Sequence, residues 1–258
     1  MLSHSLWDKT NYTDKNIRFI NGSLITEYDI SSAGMNILMD LGLITKDKYN
    51  LLKSMKKLDR NVAVGMLLKD KEKNKAIEFG FKEARRLFME NNNLEKEDIL
   101  SIKKDAIYLI DKDVGINGKV SEHIEFKKKK TYSSYIRLIN REHYLPIDKE
   151  LPLDVKGYSD YTFKVQKDYL FNFLKKIMLM KLNNSDYIDI YLELLKFKDL
   201  YITNNLPVEY YFDLVYGMYV IEGEVTRFGS YGISEEDKDE LFKNNNLLFI
   251  LELINTIL

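Results

Sequence analysis

A β-hairpin pattern near the amino end constrains the fold more than any other local feature of this chain. Apolar, β-type residues run over 17–20 and again over 24–30, and Asn21-Gly22 lies between the two runs. Asn-Gly is the preferred two-residue turn of antiparallel hairpins, because both turn positions need a positive φ. The pattern therefore predicts two antiparallel strands, with Asp29 near the end of the second strand.

The rest of the chain divides into a mixed front and a helical rear. Residue patterns in the front predict helices over 35–43, 46–55, 59–68 and 76–90, and strands over 99–102, 106–110, 124–126 and 131–139. In the rear, the pattern is helical over 163–182, 188–200, 208–219 and 235–258. We therefore expect an α+β protein with a boundary near 150–160 and a mostly helical C-terminal region.

The composition excludes several classes of protein. The chain has no cysteine and three histidines, so it has no disulfide or thiolate metal site and little material for a histidine-rich metal cluster. Residues 1–15 hold no apolar run of the kind that a signal peptide needs. No stretch is long and apolar enough to span a bilayer. These features predict a protein of the cytoplasm with no membrane partner.

The net charge of −1 conceals an asymmetry between the two parts of the chain. Residues 1–150 hold 28 Lys and Arg against 23 Asp and Glu, whereas residues 151–258 hold 11 against 17. A mildly basic front is compatible with phosphate contacts. The acidic rear is not expected to hold a nucleic-acid duplex.

Two carboxylates of the front carry the first candidate chemistry. Asp29 and Asp105 each come at the end of an apolar strand segment, where a rigid sheet can fix their positions. Mg²⁺ takes oxygen ligands and is usually bound by one or two carboxylates together with substrate phosphates. The pattern predicts that Asp29 and Asp105 hold Mg²⁺, or Mn²⁺ in its place. Two ordinary strand-end aspartates are the competing interpretation.

A basic helix, which lies between Asp29 and Asp105 in the sequence, supplies candidate side chains for binding a nucleoside triphosphate. Lys57, Asn61 and Gly65 recur every four residues, so they share one helix face. Lys57 offers a point charge for phosphate, and Arg60 is able to share or replace that role. Gly65 costs about 1 kcal/mol relative to Ala in a helix interior, so it needs a reason. The close approach of a base pair and the close packing of two helices are both open.

The densest basic run, Lys127 to Lys130, is followed by Thr131-Tyr132. Lysines and a tyrosine on one strand can contact a nucleic-acid backbone and stack on a sugar or base. We therefore predict nucleic-acid contacts for Lys128, Lys130 and Tyr132. An edge strand kept soluble by its lysines explains the same residues equally well.

The order of these stretches resembles the palm and fingers core of family B DNA polymerases, especially the small protein-primed phage type. The family's Asp-x-x-Ser-Leu-Tyr-Pro stretch corresponds to 29–35, and its Lys-x-x-x-Asn-Ser-x-Tyr-Gly helix corresponds to 57–65. Its Asp-Thr-Asp-Ser hairpin corresponds to 103–106, and its Lys-x-Tyr strand to 130–132. The resemblance covers roughly residues 17–140.

The resemblance implies an architecture and a set of roles. It implies a palm-like antiparallel sheet with helices on one face over 1–150, a minimal fingers insertion over about 34–92, and a helical thumb-like region over 151–258. Unlike the family, the chain is expected to lack an exonuclease domain, because the N-terminal part leaves no room for one. The implied roles are metal binding by Asp29 and Asp105, triphosphate binding by Lys57, contact with the nascent base pair by Asn61 and Gly65, and a hold on the primer end by Lys130 and Tyr132.

Three departures from the family pattern keep other functions open. Lys103 stands in place of the first hairpin Asp, Gly34 in place of the Tyr that screens the sugar 2′-hydroxyl, and Val64 in place of the helix Tyr. The first hypothesis is a phage or mobile-element nucleotidyltransferase that works on a primer-template with nucleoside triphosphates in the host cytoplasm. The second is an inactive palm-like module that binds nucleic acid or a replication partner. The third is a phage protein that inhibits a host protein through its acidic, aromatic rear.

Overall fold

An antiparallel sheet of seven strands organises the fold. A computed structural model describes residues 6–115, 118–221, 224–226 and 243–258, and within them it contains this sheet, a two-stranded ladder and eight α-helices. The predicted α+β class is therefore confirmed. The chain forms two compact units, Met1–Lys15 with Leu24–Thr131, and Asn16–Ser23 with Tyr132–Leu258. The domain boundary that we place near residue 150 stays a prediction.

The strands of the large sheet are β1 (Asn11–Thr13), β2 (Phe19–Ile30), β3 (Ile99–Lys103), β4 (Ala106–Ile110), β5 (Phe126–Leu138), β6 (Arg141–Pro146) and β7 (Asp154–Lys156). Their order across the sheet is β1-β3-β4-β2-β5-β6-β7. Strands β3 and β4 confirm the predictions over 99–102 and 106–110, and they pair antiparallel around a tight turn.

The predicted hairpin at Asn21-Gly22 is wrong, because β2 runs without reversal from Phe19 to Ile30. A type I′ turn needs a positive φ at both central positions. Here Gly22 has a φ of 80°, whereas Asn21 is not among the residues with positive φ. The two halves of β2 find separate partners. The oxygen of Ile20 accepts a hydrogen bond from Ser134 at 2.7 Å, and residues 25–29 pair with β4.

Two further strand predictions need correction. The runs over 124–126 and 131–139 meet in one long strand, β5, because the lysines between them continue the extended backbone. The strands β6 and β7 were not predicted, since prolines punctuate that segment. Pro146 ends β6, and β6 pairs with both β5 and β7.

Four helices lie between β2 and β3, as the sequence predicts: α1 (Ala33–Asp40), α2 (Lys46–Ser54), α3 (Lys57–Leu67) and α4 (Lys71–Asn91). Helix α4 buries an apolar face that includes Ile77, Phe81 and Phe88. Gly80 lets α1 approach closely, because a Cβ at this position would lie 2.3 Å from Cγ2 of Ile37. This packing forms the hydrophobic core of the first unit.

The second unit contains α5 (Asp160–Gln166), α6 (Leu170–Leu182), α7 (Tyr187–Ile202), α8 (Asn244–Ile257) and the ladder of β8 (Tyr219–Ile221) and β9 (Glu224–Thr226). The prediction over 188–200 is confirmed by α7. The helix predicted over 163–182 is two helices, α5 and α6. Of the helix predicted over 235–258, residues 235–242 lie outside the described residues.

The helix predicted over 208–219 is wrong. A single 3-10 turn, Val208–Tyr211, is followed by a loop. Asp213 organises this loop, because its Oδ1 accepts hydrogen bonds from the amides of Val215 and Tyr216 at 2.8 and 2.7 Å. Gly217, with a φ of 67°, then turns the chain into β8. A local carboxylate–amide arrangement competes here with the apolar helical pattern.

Candidate functional site

Two carboxylates lie at the same end of neighbouring strands. Asp29 is registered opposite Ala106 in the β2–β4 ladder, and Asp105 precedes Ala106 in the turn between β3 and β4. The amide of Ile30 donates to the main-chain oxygen of Asp105 at 3.1 Å. Burial, and then the charge of Asp29, raises the pKa of Asp105. The carboxylate of Asp29 therefore lies close enough to disfavour ionisation of Asp105.

Arg85 of α4 holds the turn that carries Asp105. Its side chain is buried, and it donates to the main-chain oxygens of Lys104 at 2.5 Å and Trp7 at 2.9 Å. Burial lowers the pKa of Arg85 to about 10, although the charges of Asp8 and Asp105 oppose this shift. The guanidinium thus stays charged at neutral pH. Because Lys104 has a φ of 32°, the turn depends on such support.

Lys129 of β5 brings a cation to the same carboxylates. Its Nζ lies 2.6 Å from Oδ2 of Asp29 and 3.4 Å from Oε1 of Glu27. Glu27 and Asp29 are two residues apart on β2, so they share one face of the strand. Burial opposes the charge on Lys129, but the hydrogen bond to Asp29 and the charge of Glu27 outweigh it and raise the pKa of Lys129.

Helix α3 contributes the residues that face these strands across a cleft. The residues that line the cleft from this helix are Lys57, Arg60, Asn61, Val64 and Gly65. Lys57 and Asn61 are exposed, and Nε of Arg60 is buried without a hydrogen-bond partner in the described part of the chain. A Cβ at Gly65 would meet nothing within 4 Å. Close helix packing therefore does not explain this glycine.

The cleft has a volume of about 690 Å³ and contains most of the predicted site. Seven of the nine predicted residues line it, namely Asp29, Asp105, Lys57, Arg60, Asn61, Gly65 and Lys128. With Lys104, Lys127 and Lys129, six basic side chains face two carboxylates. The first turn of α1 lies in the same lining, and the free amides of a helix N-terminus favour anions. The lining as a whole attracts a polyanion.

Lys128 belongs to a network at the edge of the cleft. Its Nζ lies 3.0 Å from Oδ2 of Asp113, and Oδ1 of Asp113 accepts from the hydroxyl of Tyr28 at 2.7 Å. The amide of Gly115, then Tyr28 and Lys128, lowers the pKa of Asp113 to about 2. Burial, and then Asp113, raises the pKa of Tyr28 to about 12. This network ties the basic end of β5 to the core beneath β2.

The two remaining predicted residues lie outside the cleft lining. Lys130 is exposed on β5. Tyr132 is fully buried, packs on Tyr144 with ring centroids 4.9 Å apart, and donates its hydroxyl hydrogen bond to Asp154 at 2.8 Å. The nucleic-acid contacts of Lys130 and Tyr132 stay predictions, and the packing of Tyr132 does not support its part.

The departures from the polymerase pattern have local physical explanations. A Cβ at Gly34 would lie 3.0 Å from Cγ1 of Val64, so the small residue at 34 and the branched residue at 64 fill one contact between α1 and α3. Lys103 donates from Nζ to Oγ1 of Thr13 at 3.1 Å, which places it on the β1 side of the hairpin. Larger residues at 34 would need Val64 to move.

The site contains residues that the sequence patterns did not single out. They are Glu27, Arg85, Lys104 and Lys129. The spacing of Glu27, two residues before Asp29 on a predicted strand, was a usable signal for a second acid on the same face. Arg85 lies next to Ala84 on the apolar face of a predicted helix, and such a position signals a buried cation.

The fold and cleft define a class: an α+β protein in which the ends of sheet strands present paired carboxylates to a basic helix. The sequence profile of the family described as Bacteriophage PBS1 gene 130 protein matches residues 1–258. The chain belongs to this phage protein family. Comparison with curated proteins gives no match. Across the described ranges, no helix combines the length and apolarity needed to cross a membrane.

Proposed function

We propose that this phage-family protein is a metal-dependent nucleotidyltransferase, which extends a primer on a nucleic-acid template from nucleoside triphosphates. One observation carries the proposal. Two strand-end carboxylates and a basic helix come from separate parts of the sequence, and together they line a single cleft. Its volume of about 690 Å³ is within the range of small-molecule sites, roughly 300–1,000 Å³.

Asp29 and Asp105 fit a Mg²⁺ or Mn²⁺ site of the two-carboxylate kind. The charge of Asp29 disfavours ionisation of Asp105, and a bound cation relieves this repulsion. In the described part of the chain, no group of three or more His, Cys, Asp or Glu side chains is arranged to hold a metal. A two-carboxylate set suits Mg²⁺, because substrate phosphates complete its coordination. When bound, the ion would neutralise phosphate charge and align the reacting oxygens.

The helix residues supply the rest of the binding chemistry. Lys57 provides a point charge for a phosphate, and the guanidinium of Arg60 provides a planar pair of donors. Asn61 offers one donor and one acceptor for a sugar or base. Because Gly65 has no side chain and opens on free space, a flat ring can approach the helix backbone there. These groups orient the triphosphate against the carboxylates and thereby favour reaction at one phosphorus.

The resemblance to family B polymerases supports template-directed transfer over other uses of a triphosphate. Four motifs keep their order, although Lys103 replaces one hairpin acid. Because Gly34 stands where the family has a Tyr, we propose that ribose and deoxyribose are poorly distinguished. Such an enzyme of a phage would act in the cytoplasm of the infected host cell.

Primer extension with Mg²⁺ or Mn²⁺ tests the proposal. We expect the wild-type chain to incorporate nucleotides, and we expect Asp29→Ala and Asp105→Asn each to lower the rate at least about 100-fold, as loss of a principal electrostatic group does. Asp47→Asn, an exposed acid on α2 outside the cleft, is the control and should keep the wild-type rate. Absence of incorporation by the wild-type chain with either metal, on DNA and RNA templates, would contradict the proposal.

The stability of Asp105→Asn separates lost chemistry from lost folding. The pKa of Asp105 in the folded protein lies above its ordinary value of 3.8, so its charged form costs stability. This cost is fully present above the folded pKa and disappears as the pH falls below the ordinary value. Asp105→Asn should therefore raise the free energy of unfolding at pH 7, with a smaller gain near pH 4. Urea unfolding at several pH values measures this, and a loss of stability at pH 7 would show that the carboxylate has a structural role.

A second function is favoured by one specific observation. The ammonium of Lys129 lies 2.6 Å from Asp29 and neutralises this carboxylate. The site therefore needs no metal ion to balance the charge of Asp29, as is expected of a binding site without catalysis. The alternative is an inactive module that binds nucleic acid or triphosphate through the basic lining. It predicts salt-sensitive binding without turnover, and binding that is insensitive to Asp105→Asn.

A further inference from the structure

The ammonium of Lys129 contacts Asp29, so Lys129 and a metal ion would compete for this carboxylate. We infer that Lys129 is an intrinsic counter-ion of the site, which must release Asp29 and Glu27 before a divalent cation binds. The inference rests on the proposed metal site. It adds Lys129 as a residue that controls metal binding at this site.

The geometry around Lys129 resembles that of a bound cation. Its Nζ is shared between two carboxylate oxygens, at 2.6 Å from Asp29 and 3.4 Å from Glu27. The side chain of Glu27 is only 3% exposed, so its charge is removed from water and needs a nearby positive group. The ammonium of Lys129 therefore brings one positive charge to Asp29 and Glu27, where a divalent ion would bring two.

The charges of the site favour an exchange. Asp29 and Glu27 are acidic, and Lys129 supplies an ammonium that lies within 3.4 Å of a carboxylate oxygen of each. Adding a divalent cation while Lys129 remains in place brings two positive charges together, which is unfavourable at a few Å. Removal of Lys129 takes away one positive charge beside Asp29 and Glu27. The lysine therefore lowers metal affinity whenever it remains paired.

Lys129 is able to move away from this pair. Its side chain is half exposed, and a lysine ammonium lies on a flexible four-carbon stem. Lys129 also lines the cleft, so a bound triphosphate offers it a second partner. Triphosphate and metal should therefore assist each other's binding, since each favours the released lysine.

Titration with Mn²⁺ alone, followed by electron paramagnetic resonance of the free ion, tests this inference. Lys129→Met should bind Mn²⁺ at least about fivefold more tightly than wild type, the effect of removing one like charge a few Å away. Lys129→Arg keeps the charge and should stay close to wild type. Lys112→Met is the matched control for a general charge effect, because Lys112 is half exposed, lies outside the cleft lining and pairs with Asp98 at 3.4 Å.

A second measurement covers the case in which Lys129→Met folds poorly. Loss of the ammonium beside the buried Glu27 should lower the melting temperature of Lys129→Met, and Mn²⁺ should restore it by a larger shift than in wild type. The inference is overturned if Lys129→Met binds Mn²⁺ no more tightly than Lys112→Met, or if neither the wild type nor Lys129→Met binds Mn²⁺ at millimolar concentration.

The result is distinguishable from the outcome for the proposed function. Tighter Mn²⁺ binding by Lys129→Met, in a chain that never incorporates nucleotides, supports the counter-ion and contradicts the polymerase. Incorporation by wild type together with unchanged Mn²⁺ affinity in Lys129→Met supports the polymerase and overturns the counter-ion.

Discussion

The strands and the helix that line the cleft hold their charged groups in different ways. On the strand side, Asp105 lies in a turn held by the buried Arg85, and Asp29 is paired with Lys129 at 2.6 Å. On the helix side, Lys57 is exposed, and Nε of Arg60 has no hydrogen-bond partner among the described residues. One side is already satisfied by the protein, while the other offers groups to a ligand.

This difference shows how a small protein can build a charged site. A carboxylate cluster is costly unless its groups are positioned and neutralised, so it lies on strands with support behind it. Cationic side chains on an exposed helix cost the protein little stability, because water solvates them. The predictions below test whether the strand side is rigid and the helix side is open.

The largest effect is expected from loss of the support behind the strand side. Arg85→Met removes the donor of two partly buried hydrogen bonds, to the main-chain oxygens of Lys104 and Trp7. The cost should be about 3 kcal/mol in the free energy of unfolding, as the loss of two hydrogen bonds from a charged donor implies. Urea unfolding measures it.

The neighbouring arginine provides the matched control. Arg86 pairs with Glu83 and Glu90 on the surface of α4, and such exposed pairs are worth at most about 1 kcal/mol. Arg86→Met should therefore cost much less than Arg85→Met. Equal costs for the two variants would mean that the turn carrying Asp105 does not depend on Arg85.

Two helical glycines give a smaller and more selective test. Gly80→Ala places a Cβ 2.3 Å from Cγ2 of Ile37 and should cost about 1–3 kcal/mol. Gly65→Ala meets nothing within 4 Å, so it should stabilise α3 by up to about 1 kcal/mol. If ligand approaches the helix at Gly65, the same change weakens triphosphate binding. Urea unfolding and calorimetric titration with a nucleoside triphosphate measure the two effects, and unchanged affinity in Gly65→Ala would remove this glycine from the site.

Apolar spacing predicts four helices in the first unit, although it places the start of α4 at 76. The helix begins at Lys71, because Asp70 accepts hydrogen bonds from the amides of Glu72 and Lys73. The hairpin at Asn21-Gly22 fails for a non-local reason. Its two flanking segments pair with distant strands, and such pairing outweighs the turn preference of two residues.

The candidate site likewise has a part that local patterns predict and a part that depends on non-local packing. Motif order brings together Asp29, Asp105 and the residues of α3, because strand ends and helix faces follow from local spacing. The support by Arg85 and the pairing of Lys129 with Glu27 depend on which strands become neighbours. That order, β4-β2-β5, is set by long-range packing, which no local pattern encodes.

The most direct test is a crystal structure of the chain with Mn²⁺ and a nucleoside triphosphate, in which anomalous scattering locates the metal. The account predicts a Mn²⁺ peak in contact with the carboxylates of both Asp29 and Asp105, with the triphosphate against Lys57 and Arg60. A triphosphate bound elsewhere, or a cleft that holds it while neither carboxylate touches a metal, would contradict the account.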